Sequence, residues 1–132
     1  MARDQFDPTP IESRDELVAW FEKGCKPSSA FRIGTEHEKI PYRTGTTQPV
    51  AYDGPQGIGA LLTALQQASG WEPIMDGAAL IGLADGEGGG AISLEPGGQF
   101  ELSGAPLPDL HAGAQELAGH LDVVKRLGRS LD

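Results

Sequence analysis

The 132-residue sequence is poor in several things at once: it has one cysteine, 6% aromatic residues, ten basic residues against nineteen acidic ones, and no long apolar run. A single cysteine, Cys25, forbids an internal disulfide and any metal site built on paired cysteines. At the end of a predicted helix it reads as a small, partly buried residue. The shortage of cations leaves a formal charge of −9. Without a positive field to meet phosphate backbones or anionic lipids, nucleic acid and membrane surfaces are excluded as expected partners. The longest apolar run, Ala78 to Ala84, is far short of the ~20 residues that cross a bilayer. Met1 to Pro10 is too polar for a secretory h-region, so a cytoplasmic protein is expected.

Glycine is abundant instead, with nineteen residues in short clusters and no Gly-X-Y period, which reads as turns and not as collagen or low complexity. The length fits one domain at most, so residues 1–132 are expected to form a single unit. Ser13-Arg14-Asp15-Glu16 has the form of a capping box, and Leu17, Trp20 and Phe21 follow at helical spacing up to Gly24. Pro27-Ser28-Ser29 reads as a loop. Phe31 to Ile40 alternates as a strand, with Phe31, Ile33, Thr35, His37 and Lys39 on one face and Arg32, Gly34, Glu36, Glu38 and Ile40 on the other. Pro41 removes a strand N–H and predicts an early end.

A second helix is predicted after Asp53-Gly54-Pro55, from the stripe Ile58, Leu61, Leu62, Leu65 and Ala68, with Gly70 closing it. Trp71 to Met75, Ala78 to Ala84, Ala91 to Glu95 and Gln99 to Ser103 are strand-length pieces between turn signals and predict an antiparallel sheet. After Pro108, Leu110, Ala114, Leu117, Leu121, Val124 and Leu131 recur at helical steps. The expected fold class is therefore α+β, an antiparallel sheet with flanking helices.

The densest chemistry lies in Ala91 to Ser103, where two alternating runs flank Pro96-Gly97-Gly98. If Glu95 pairs with Gln99, then Leu94 faces Phe100 and Ile92 faces Leu102, and every large apolar residue falls on one side. The other side carries Ser93, Glu95, Gln99, Glu101 and Ser103, and a one-residue slip mixes the two sets. Glu36 and Glu38, two apart in a strand, add a second carboxylate pair on one face. Like charges so close repel by about 1 kcal/mol even in water, unless a cation sits between them. The spacing alone leaves two readings open: a hard-cation site, whose oxygen donors suit Mg²⁺ or Mn²⁺, or a solvated acidic sheet face.

Phe31-Arg32-Ile33-Gly34-Thr35-Glu36-His37-Glu38-Lys39, Trp71-Glu72-Pro73-Ile74 and the run from Ile92 to Leu107 closely resemble the plant and proteobacterial type of glutamate–cysteine ligase. The resemblance runs from Thr9-Pro10-Ile11-Glu12 to the last predicted helix. It matches the N-terminal part of a family whose members are considerably longer. It implies a sheet of the glutamine synthetase kind, whose concave face binds ATP, Mg²⁺ and L-glutamate. It further implies phosphorylation of the glutamate γ-carboxylate, followed by displacement of phosphate by the amine of L-cysteine. Carried over by residue, Glu36, Glu38, Glu95 and Glu101 are the expected metal ligands, while Gln99 and Ser103 are candidates for contact with glutamate. Arg32 is placed either on an ATP phosphate or on an acidic neighbour.

Ile40-Pro41-Tyr42-Arg43 departs from the aromatic-Gly-aromatic continuation expected of the family. Asp85 to Gly90 lacks the Lys-Ser/Thr of a P-loop and reads as a turn. His37 alternates away from the carboxylates, and His111 and His120 receive no chemistry. The family's ATP-gripping cations and most of its cysteine pocket belong to the remainder of the catalytic domain, so the isolated chain is expected to be inactive or nearly so. Two alternatives stand beside this reading: a related carboxylate–amine ligase with another amine acceptor, and a non-catalytic assembly module that self-associates through an open sheet edge.

Overall fold

The computed structural model describes residues 8–131. Asp132 and the first seven residues of the polar stretch Met1 to Pro10 lie outside them. The chain divides into two compact units, residues 1–32 and 33–132.

In the first unit, helix α1 spans Arg14–Lys23. Ser13 Oγ accepts from the Glu16 N–H at 3.1 Å as expected, but the Glu16 carboxylate reaches back to the N–H of Glu12, not of Ser13. Asp15 and Glu16 in the first turn and Lys23 in the last complement the helix dipole. No residue of α1 is buried. Trp20 and Phe21, which recur at helical spacing, are 62% and 71% exposed. Cys25 is exposed as well, which corrects the expectation of partial burial: the helix end beside it has no buried residue to pack on. Ser28–Ala30, read as loop, closes into a 3₁₀ turn.

The second unit is built on a five-stranded sheet of β1 (Glu36–Lys39), β2 (Glu72–Asp76), β3 (Ala79–Ala84), β4 (Ala91–Glu95) and β5 (Gln99–Ser103), in the order β1-β5-β4-β3-β2 with every pairing antiparallel. With α2 (Ile58–Ser69) and α3 (Leu110–Leu131) on one face, the fold is α+β. The strand predicted over Phe31 to Ile40 is shorter than its alternation suggested. Regular pairing stops at Glu36↔Ser103, and contact resumes at Ile33↔Leu107, one residue out of step. Pro106, which has no N–H to give the ladder, lies in that break. At the other end the strand stops at Lys39, before Pro41. Pro73 is tolerated in β2 because β2 is an edge strand.

The core is where the apolar face of the sheet meets the helices. Ile58, Leu61, Leu62 and Leu65 of α2 pack with Leu83, Ile92, Phe100 and Leu102, and Leu117, Val124 and Leu127 of α3 lie against them. Each fully buried side chain of this kind contributes about 1.5–3 kcal/mol. Three members of the predicted stripes are displaced outward: Ala68 and Ala114 are exposed, and Leu110, at the start of α3, is 70% exposed while Gly113 is the buried residue of that helix.

His120 completes this layer. Its ring stacks on Phe100 with centroids 6.2 Å apart, and its Nε2 is buried without a hydrogen-bond partner. Desolvation, reinforced by the nearby Lys39 and His37, pushes its pKa down to about 4. The unfolded chain therefore takes up this proton first as pH falls, so stability is lost between about pH 6.5 and 4. Allowing for solvent screening of a half-exposed group, the loss is about 1–2 kcal/mol. Urea unfolding at both ends of that interval will show a smaller decrease in His120→Leu than in the parent chain.

Candidate functional site

The β4–β5 hairpin sets the geometry. Gly97 and Gly98 lie at φ +82° and +79°, in the left-handed region open to glycine, and the Gly98 N–H donates to the Glu95 carbonyl at 3.0 Å. The turn fixes the register as Glu95↔Gln99, Leu94↔Phe100, Ser93↔Glu101, Ile92↔Leu102 and Ala91↔Ser103, which is the pairing expected from the alternation. Phe100 and Leu102 are thereby committed to the core and Glu101 to the opposite face.

β1 docks on β5 with Glu36↔Ser103 and Glu38↔Glu101. Glu38, Glu101, Ser93 and Gly82 are consequently successive partners across β1, β5, β4 and β3. Directly opposed side chains have Cβ atoms about 4.5–5.5 Å apart, so Glu38 and Glu101 are closer than the diagonal relation of Glu95 and Glu101. Glu36 flanks the row on one side and Glu95 on the other. The four carboxylates singled out by sequence thus share one face, as do Gln99 and Ser103, while His37 and Lys39 point to the helix side.

The environments differ along the row. Glu36 and Glu38 are exposed and Glu95 is half-buried, but Glu101 is only 4% exposed. The Ser103 hydroxyl donates to Glu101 Oε1 at 2.5 Å. Ser93, 8% exposed, has a buried Oγ with no hydrogen-bond partner. A buried hydroxyl left so costs on the order of 1–3 kcal/mol, which a polar ligand would recover. Beside Ser93, Gly82 keeps the floor of the row bare, since a Cβ there would lie 2.5 Å from the Ile92 carbonyl oxygen. Sequence reasoning placed Ser93 on this face without a role and passed over Gly82. The signal for both was the register itself, which sets them in line with Glu101.

Every donor on the row is an oxygen, the chemistry that suits a hard divalent cation. Among the described residues, no three His, Cys, Asp or Glu side chains converge closely enough to enclose an ion by themselves. Arg32 belongs to the first unit, and its guanidinium donates to the carbonyl of Phe31 at 2.7 Å and of Ser29 at 3.5 Å. The alternation that set it on the face of Glu36 does not reach it, because the strand begins at Glu36. Asp85 to Gly90 is a turn closed by the Asp85 N–H on the Gly90 carbonyl, with Asp85 Oδ1 accepting from Glu87.

The model of glutamate–cysteine ligase family 2 matches residues 32–131, a span that contains this whole sheet and both helices packed on it. The chain belongs to that family. It is 44% identical over 119 residues to the glutamate–cysteine ligase, chloroplastic, of Arabidopsis thaliana, covering 90% of this chain and 22% of the relative. Over the same length it is 44% identical to glutamate–cysteine ligase A, chloroplastic, of Oryza sativa subsp. japonica and 40% identical to the chloroplastic ligase of Medicago truncatula. The chain thus spans about a fifth of the length of the curated relatives it matches. The chloroplastic names of these ligase relatives overturn the expectation of a cytoplasmic protein. That expectation rested on the lack of an apolar h-region, which bears on secretion and not on plastid targeting, whose signals are themselves polar.

The face assignment rests on the hairpin turn, and Gly97 tests it. Nothing lies within 4 Å of a Cβ built there, so Gly97→Ala introduces backbone strain alone. Thermal or urea unfolding should register a loss of about 1–2 kcal/mol.

Proposed function

We propose that this chain supplies the carboxylate wall of the catalytic site in an ATP- and Mg²⁺-dependent ligase that joins L-glutamate to L-cysteine, the first step of glutathione biosynthesis. The observation that carries the reading is the row Glu38, Glu101 and Ser93, flanked by Glu36 and Glu95 on one face of the sheet of a glutamate–cysteine ligase family member. Glu36, Glu38, Glu95 and Glu101 would hold Mg²⁺ or Mn²⁺, with Gln99 and Ser103 beside them for glutamate. Because among the described residues no three of the carboxylates converge, part of a bound ion's shell would fall to phosphate oxygens and water, the habit of Mg²⁺ in phosphoryl-transfer sites. A bound divalent ion supplies neutralisation of the charge on the transferred phosphoryl group.

The chain's own residues supply fixed charge in a fixed place. Glu101, held by the Ser103 hydroxyl and opposed by Glu38, presents repulsion that a cation relieves. In the overall reaction ATP phosphorylates the γ-carboxylate of glutamate; the cysteine amine then attacks that acyl carbon, forming the amide and releasing phosphate. The remainder of the catalytic domain, continuing a sheet of the glutamine synthetase kind, would contribute the cations that orient ATP and the pocket for the amine acceptor. A related ligase with a different amine acceptor uses the same wall, since the acceptor pocket is not among these residues.

Mn²⁺ titration of the purified chain tests the wall. Weak binding, competed by Mg²⁺, is expected, with affinity reduced at least about tenfold in the Glu95→Gln/Glu101→Gln double variant; an unchanged titration removes the assignment. The same preparation should release no phosphate with ATP, glutamate and cysteine, and measurable turnover would show that the wall alone suffices.

A second reading, a self-associating assembly module, is favoured by the exposed Trp20 and Phe21 of α1 and by the two strands that end the sheet, β1 and β2. Light scattering over a wide concentration range separates the two, because a monomer throughout argues against assembly.

A further inference from the structure

On the face of the sheet opposite the carboxylates, a cavity of about 390 Å³ opens where the end of β1 and the loop after it meet the start of α2 and the last turns of α3. None of Glu36, Glu38, Glu95 or Glu101 borders it. Its lining includes the buried side chains Ile58 and Phe100. Four cations border the same space: Lys39, Arg43, Lys125 and Arg129. They are four of the ten basic residues of a chain with formal charge −9, and among the described residues no Asp or Glu borders the cavity.

This gathering of cations is not accounted for by local structure. Arg129 in the last turn of α3 suits the helix dipole, but Lys39 and Arg43 come from β1 and its following loop. The hydrogen bonds of those two go to neutral groups: Arg43 to Gln56 Oε1 at 2.8 Å, and Lys39 Nζ to the His37 carbonyl at 3.4 Å. Neither partner offsets a charge. The volume lies within the ~300–1,000 Å³ of small-molecule pockets, and apolar walls with a few convergent polar groups are their usual make-up.

We propose that this cavity is a second binding site, for a small organic anion whose carboxylate, phosphate or sulfonate head is held by Lys39, Arg43, Lys125 and Arg129 and whose apolar body rests on Ile58 and Phe100. The site lies across the sheet from the proposed metal wall, so its test is independent of the Mn²⁺ titration.

The test is a fluorescence titration of the full 132-residue chain with 8-anilinonaphthalene-1-sulfonate, set against N-phenyl-1-naphthylamine, which keeps the rings and lacks the sulfonate. Saturable one-to-one binding of the sulfonate is expected, at least about tenfold tighter than the neutral compound and weakened about tenfold or more in Arg43→Gln/Lys125→Gln. Gly128→Leu gives a steric readout. Gly128 lines the cavity and a Cβ there meets nothing within 4 Å, so the added side chain should block the probe while circular dichroism stays unchanged. Lys26→Gln, in the first unit, should leave binding as it is. Equal affinity for the two probes, no saturable binding, indifference to both cavity variants, or an equal loss in Lys26→Gln each overturns the proposal.

Discussion

The pairing of β4 with β5 is the constraint on which the second unit depends. A turn of Pro96, Gly97 and Gly98, with both glycines at positive φ, holds Glu95 opposite Gln99. From that one contact the period of two along each strand decides every other placement. Phe100 and Leu102 go under the helices and become the most enclosed side chains of the sheet beside Leu83. Glu101 and Ser93 go to the other side. A slip by one residue would bury Glu101 among leucines, a cost no rearrangement of the helices offsets. The core and the carboxylate row are therefore two consequences of one register.

The two faces also separate charge. The stretch from Glu72 to Ser103 contains no Lys or Arg, so four of the five strands bring no cation to the acidic face. Basic residues return at the end of β1 and in the last turns of α3, where they border the cavity on the helix side. The sheet thus stands between an acidic surface and a basic pocket. His120, in the middle of α3 and stacked on Phe100 of β5, stays neutral because its ring is desolvated there and because Lys39 and His37 oppose its protonation.

In this member of glutamate–cysteine ligase family 2 the acidic residues share one face of the sheet, while among the described residues no three of them enclose an ion. The chain spans about a fifth of the length of its curated relatives. Ser93, buried with an unpartnered hydroxyl, is a local cost on that face.

Much of this was legible in the order of residues. Strands β4 and β5, their register, the face of all four carboxylates, the capping serine of α1 and the spans of α2 and α3 follow from alternation, turn chemistry and helical spacing, which are local properties of the chain. What the sequence could not decide depends on neighbours distant along it. Phe31 to Thr35 alternates as a strand should, yet only Glu36 to Lys39 pairs regularly, because the partner strand ends at Ser103. Trp20 and Phe21 sit on a well-formed helix whose apolar side meets no core within its unit, and Cys25 lies just past its end. The direct opposition of Glu38 and Glu101 required β1 to dock on β5, and the cavity required cations from β1, its loop and α3 to meet. Patterning along a segment determines which faces it has; only the packing of segments decides what those faces meet.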